Sequence, residues 1–308
     1  MNHRLSQFAL LVLTLSLTGC SLRTIAITKI ADSIAAGGST YASDDDPELI
    51  AQATPFSLKL IESLLAETPS HRGLLLSAAS GYTQYAYAFV HLEGDRLAPD
   101  DFEEASFLYG RAGRLYLRAR DYGLRGLDAA HAGFSQRLRS DPSVAVAELA
   151  RSDVPIAYWT AVAWGAAISV SKTNPDLIAD QQVVEALIDR ALELDEAFDD
   201  GAIHAFLISY EQARQGAEGN ATERGRRHFD RAVALSRGGL ASPYVAFAES
   251  VSVANQNRDE FEELLRSALA IDPNARVESR LANIVSQRRA QWLLDHTDEL
   301  FVSQEVEP

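Results

Sequence analysis

Three stretches of this chain can be laid over one another. VEALIDRALELDEAF, RHFDRAVALSRGGL and FEELLRSALAIDPNA each close in Ala-x-x-[Leu/Ile]-[Asp/Ser], and each is followed by a further apolar helical pattern. Their anchoring alanines, Ala191, Ala232 and Ala268, stand roughly 35–40 residues apart. SLKLIESLLAETPSH, near the start, reads as a fourth copy, with Thr68-Pro69 in the place of Asp272-Pro273. A recurrence of this length restricts the fold severely. One such helix pair cannot bury its apolar face alone, so neighbouring pairs must stack on one another.

The pattern between the repeats agrees. In VVEALIDRALEL the residues Val184, Leu187, Ile188, Ala191 and Leu192 recur at i, i+3, i+4, i+7 and i+8, one face of a helix. No stretch alternates as a half-buried strand would. Helix starts are marked by Asp46-Pro47, Asp141-Pro142, Asn174-Pro175 and Ser242-Pro243, a capping side chain before proline. Asn220 with Glu223 and Asp100 with Glu103 read as capping boxes. ALAIDPNA is a common ending of a tetratricopeptide (TPR) repeat, although the Trp, Gly and Tyr positions of that consensus are mostly absent. The expected fold is all-α: a solenoid or superhelix of TPR-like antiparallel helix pairs in one domain at 47–296, with a polar tail at 297–308. VPIAYWTAVAWGAAISV, 154–170, is apolar on all sides. It contains Pro155 and is short for a membrane span, so it is read as a central core helix wrapped by the others.

The N-terminus carries an address. Arg4 precedes an apolar run at 8–17 that is too short to cross a bilayer, and small residues follow. This is the layout of a secretory signal peptide. Leu17-Thr18-Gly19-Cys20 resembles a bacterial lipobox, which implies removal of 1–19 and a lipid on Cys20; a plain signal peptide with an incidental cysteine is the alternative. Residues 20–46 then form a lipidated N-terminus and tether. Ser21, not Asp, follows Cys20, which points the anchor towards the outer membrane. Cys20 is the single cysteine, so no internal disulfide forms and stability must come from the core. The net charge is −15, and loss of Arg4 with the signal makes it more negative. Such a chain suits neither nucleic acid nor a flat anionic lipid surface.

Nothing in the sequence assembles a catalytic or metal constellation. His71, His91, His131, His204, His228 and His296 are scattered without ligand spacing, so structural histidines are the plainer reading and no metal or cofactor is expected. Ser169-Val-Ser-Lys172 matches Ser-x-x-Lys, but its companion motifs are missing, and no enzyme is expected. Two features look like binding surface. In LLLSAASGYTQYAYAFVHL, Tyr82, Tyr85 and Phe89 share one helical face. Tyrosine's apolar body and polar tip suit a half-wet groove or pore lining, to which Trp159 and Trp164 of the apolar helix are added. Helix packing is the plainer alternative. Arg111, Arg114, Arg118 and Arg125 lie at i, i+3, i+7 and i+14 and make one face basic. That stripe can dock a carboxylate-bearing ligand or partner. A solvated face paired with the abundant acids is its alternative.

Several segments together resemble one family. The lipobox, YTQYAYAFVHLE, FEEASFLYGRAGRLYLRARDYGLRGL, YWTAVAWGAAISVSKTNPDLIADQQVVEALIDRALELDE, GAIHAFLISY and LASPYVAFAESVSVANQNRDEFEELLRSALAIDP are similar, in order, to the T-component family of TRAP transporters. Tyr-Trp-Thr-Ala, Ala-Trp-Gly-Ala-Ala-Ile-Ser and Ser-Pro-Tyr-Val are not generic helical-repeat residues. The resemblance implies a non-enzymatic, periplasmic, lipid-anchored protein of TPR-like helix pairs. Its partner would be the periplasmic solute-binding (P) subunit of a transporter that uses an ion gradient to move organic acids or other small solutes. It also implies a homo-oligomer, a trimer among the arrangements allowed, with a groove or pore that passes ligand. The family has no strict catalytic motif to carry over. A TPR-like lipoprotein scaffold for outer-membrane or cell-wall assembly is the competing expectation.

Overall fold

The computed structural model describes residues 29, 31–33, 38–214 and 216–302. Cys20 and the signal segment lie outside the described residues. Among the described residues all regular structure is helical. In chain order the helices are α1 (Gly38–Ala42), α2 (Pro47–Glu67), α3 (Arg72–Ala86), α4 (Leu92–Leu97), α5 (Phe102–Ala130), α6 (Phe134–Ser140), α7 (Pro142–Val146) and α8 (Val154–Ser169). There follow α9 (Pro175–Ala179), α10 (Gln181–Leu194), α11 (Ala202–Ala213), α12 (Ala221–Ser236), α13 (Ser242–Phe247), α14 (Arg258–Leu269), α15 (Arg280–Asp295) and α16 (Thr297–Leu300). Two π turns interrupt the series: Tyr87–His91 joins α3 to α4, and Ala248–Ser252 follows α13.

The caps explain where most helices begin. Asp46, Asp141, Asn174 and Asn220 each accept a backbone N–H of the turn they open. Two starts differ from the sequence expectation by one residue. Asp101, not Asp100, caps α5 by accepting from the Glu104 amide at 3.0 Å. The Asp100 amide instead bonds the Leu97 carbonyl and closes the preceding turn. Ser242 lies inside α13 and makes no capping bond. The Ala241 amide before it donates to Asn283 Oδ1 of α15 at 2.9 Å, so this helix end is satisfied from a distant helix.

The repeat alanines Ala191, Ala232 and Ala268 are all buried, and α10, α12 and α14 each pack on the helix that follows. α3, α5, α8 and α10 form the first body of the molecule. α5 approaches α8 closely enough that a methyl group on Gly123 would stand 2.1 Å from Thr160 Oγ1. Trp164, Phe134, Leu127, Leu187 and Ile188 fill its core. A second core gathers Phe229, Phe247, Phe261, Leu265 and Leu293 from α12 to α15. α11 serves both, giving Ile203 and Leu207 to the first and Ile208 to the second. The all-apolar α8 therefore serves the first core and two smaller clusters beside it, through Ala163 and Ala167, but gives nothing to the core of α12 to α15. The expectation that every other helix wraps it is corrected, because the later helices bury their apolar faces among themselves.

The last long helix returns to the first. Arg288 of α15 pairs with Glu48 of α2, with Nη2 3.1 Å from Oε2, and Arg280 donates to the Ser43 carbonyl at 3.0 Å. The tether expected before residue 47 is in part folded. Ala31 is buried against α2 and α3, Asp32 meets His71 Nε2 at 3.0 Å, and α1 rests on α15. The expected tail likewise begins in the fold, since Phe301 packs edge-on against Phe261 with centroids 5.1 Å apart.

Candidate functional site

The tyrosines of α3 and the arginines of α5, two separate features in sequence, lie together as one ladder. The α3–α5 contact sets Arg111 and Arg118 against α3 rings, and Arg125 lies over a ring of α5 itself. Arg111 lies over Tyr85 at 5.9 Å and donates to its hydroxyl at 3.3 Å. Arg118 lies over Tyr82 at 5.4 Å, and Arg125 over Tyr122 at 5.2 Å. Tyr82 and Tyr122 stack with an interplanar angle of 11° and centroids 6.0 Å apart. Arg125 also donates to the Pro69 carbonyl at 3.1 Å. Arg114 has no ion pair or hydrogen bond among the described residues.

Two residues that sequence reasoning missed complete the site. Glu62 of α2 accepts from the Tyr122 hydroxyl at 2.9 Å, lies 3.6 Å from Arg118 and pairs with Lys59. Burial would raise its carboxyl, but hydrogen bonds from Lys59, Tyr82 and Tyr122 and the Arg118 charge hold it below the ordinary glutamate value. Burial, then the hydrogen bond to Glu62, pushes the Tyr82 and Tyr122 phenols up to about 12, so both stay protonated donors. The only sequence signal for Tyr122 was its place four residues after Arg118 and three before Arg125. Glu62 had none, because it comes from another helix.

The ladder borders an open depression of about 400 Å³ lined by Arg114, Leu117, Arg118, Asp121, Tyr122 and Arg125. Tyr82 itself is 3% exposed, while Tyr85 and Phe89 are half-buried and touch at 5.8 Å. Phe107, on the α5 face that carries Arg111 and Arg114, is exposed. The tryptophans do not join this group. Trp164 is sealed in the first core, its Nε1 donating to Asp180 at 3.2 Å, so it faces no opening. Trp159 is half-buried at the edge of the same core, with its ring 5.0 Å from Tyr158. An all-apolar helix gives no sequence sign of which ring faces outward, and here the larger burial went to Trp164.

Other candidate chemistry is accounted for locally. The exposed Ser169 hydroxyl donates back to the Ala166 carbonyl at 2.8 Å, and Lys172 is exposed without a partner there. Among the described residues no group of three or more His, Cys, Asp or Glu converges as a metal cage. No helix among them is long and apolar enough to cross a membrane. What the site offers is a set of guanidiniums held over aromatic rings, a geometry that can present N–H donors to a carboxylate.

Comparison with known proteins agrees with a transport role. The chain is 28% identical over 302 residues to an uncharacterised protein of Treponema pallidum (strain Nichols), covering 92% of this chain and 94% of that one. The profile of the TRAP transporter T-component family matches residues 43–301. The chain thus belongs to the TRAP transporter T-component family.

Proposed function

We propose that this T component is a periplasmic, non-enzymatic accessory that holds the solute-binding subunit of its transporter, and that the arginine–tyrosine ladder on α5 is the docking face. The observation that carries the reading is Arg114, an unpaired exposed cation between two ring-stacked arginines in a chain of net charge −15. Stacking a guanidinium on a ring fixes its plane and leaves N–H edges free, so less entropy is lost when a carboxylate arrives. Tyrosine and arginine are also the residues that carry most binding energy at interfaces. The acidic remainder of the surface would repel an acidic partner everywhere else, which sets the register. In the same reading Cys20 carries the lipid anchor, the protomers self-associate, and Tyr85, Phe89 and Phe107 form the apolar end along which a small solute passes.

Isolation of the full protein through a tag after Pro308, in mild detergent, tests the partner. Near-stoichiometric recovery of a periplasmic solute-binding protein supports the reading, whereas recovery of outer-membrane assembly proteins moves it to an envelope scaffold. The paired substitutions Arg114→Glu and Arg118→Glu test the face. They are expected to weaken binding of the isolated solute-binding subunit at least tenfold, about 1.4 kcal/mol, with unfolding temperature little changed for Arg114→Glu and lowered for Arg118→Glu, which faces Glu62. Unchanged affinity discards the docking face.

A further inference from the structure

α2 presents a face that the rest of the described fold leaves uncovered. Its buried residues Ile50, Leu58, Ile61 and Leu65 share the side turned to the core. On the other side Leu49 is 54% exposed, Phe56 74% and Leu60 40%. They recur at i, i+7 and i+11, so they align along one stripe about 16 Å long. From 49 to 61 the helix has no acid and one charge, Lys59, in a chain with 43 acids and a net charge of −15. Large apolar side chains in line and cleared of acids mark an interaction surface.

The point where the chain enters the fold says what lies against that surface. Ala31 is buried in one cluster with Leu58, Ile61 and Leu65, and Asp32 meets His71 Nε2 at 3.0 Å. The chain leading in from the N-terminus is thus rooted on α2. Lys29 stands nine residues after Cys20, a span of at most about 30–32 Å of extended chain. A lipid on Cys20 therefore holds the bilayer within that reach of α2, and the surface at the root meets it first.

We propose that the Leu49–Phe56–Leu60 face of α2 seats in the headgroup–acyl boundary of the membrane that anchors the chain. This rests on the lipid anchor proposed for Cys20. The acyl chains supply attachment, and the stripe fixes which way the protein faces. The negative net charge excludes attraction by anionic headgroups, so the partner is the apolar margin of zwitterionic lipid. With no carboxylate in the stripe, no acid has to leave water as the side chains enter. Lys59 stands at the flank, paired with Glu62. Glu62 projects about 120° round the helix from Phe56. Seating α2 therefore leaves the arginine–tyrosine ladder clear of lipid and open to a soluble partner.

The test places the lipidated mature chain in phosphatidylcholine vesicles with brominated acyl chains and reads Phe56→Trp, a replacement at an exposed position. Bromine quenches a tryptophan only at close contact, so the added emission should fall at least about twofold against unbrominated vesicles. Val144→Trp, at an exposed position of α7, a helix packed on α6 and α10, should show no such fall. The unsubstituted chain supplies the baseline of the native tryptophans. Flotation with the vesicles reads the anchor separately; it is expected for the wild type and lost in Cys20→Ala. A floating Phe56→Trp chain with unquenched emission overturns the proposal and leaves the anchor standing. Equal quenching of Val144→Trp overturns the fixed orientation and the proposal with it. Failure of the wild type to float overturns the anchor and the proposal together. Phe56→Cys chains that cross-link to one another, with quenching absent, assign the stripe to a second copy instead.

Discussion

Tyr82 and Phe56 are both aromatic, and their substitution should have opposite consequences. Tyr82 is 3% exposed and stacked on Tyr122, whereas Phe56 is 74% exposed. Tyr82→Ala is expected to cost about 3–5 kcal/mol in urea unfolding, while Phe56→Ser should stay within roughly 0.5 kcal/mol. Tyr82 thus acts as the bed of the ladder rather than as a wet wall. Glu62 adds a pH signature. Its folded carboxyl titrates below the ordinary value of 4.5, so its contribution is present above that pH and is lost as pH falls through the lower, folded value. Urea midpoints should therefore fall below about pH 4.5, and Glu62→Gln should flatten that decline. Of the ladder, the arginine spacing and the tyrosines were legible. Their mutual contact was not, since nothing local says which faces of two helices meet.

At the scale of elements, α5 offers a discriminating pair. Asp101→Ala removes the hydrogen bond to the Glu104 amide and should cost about 1 kcal/mol; Asp100→Ala should be nearly neutral. Equal effects would return the cap to the register that the sequence suggested. The same helix is held against α8 at Gly123. Gly123→Ala is expected to destabilise by about 1–3 kcal/mol, because the added methyl meets Thr160 in a packed interface. The glycines of α5 differ in what surrounds them. Gly110 in fact meets only the tip of Arg114. The π turn at Tyr87–His91 was invisible to spacing. It is stabilised from outside, by His91 Nδ1 at 3.1 Å from the Tyr116 hydroxyl and by ring contacts with Tyr109.

For the whole molecule, the decisive joint is Arg289. This residue of α15 is 8% exposed and pairs with Asp95 of α4 at 3.0 Å and with Glu249 of the second π turn. It also lies 4.6 Å over Trp292. Arg289 therefore ties α4 to the second π turn and is the buried arginine among the described residues. Arg289→Ala leaves Asp95 and Glu249 facing each other unneutralised, and should cost about 3 kcal/mol, the lower end for a broken buried pair because Glu249 reaches solvent. The outer closure through Arg288 and Glu48 is exposed on both sides and is screened by salt. Amide exchange in α15 should accordingly quicken in about 1 M salt, where the screening length falls to about 3 Å, while α8 stays protected.

What the sequence by itself determined is the helical class, the places where most helices start, the buried alanines of the repeats and the family. These follow from periodicity and capping, which act over a few residues and so are written locally. What only the tertiary structure decided is the sharing of α11 between the core around α8 and that of α12 to α15, the return of α15 to α2, the union of arginines with tyrosines, and the meeting of His204 with His228. Each depends on which faces of distant helices come together, and that choice is settled by the packing of the whole rather than by any one stretch of chain.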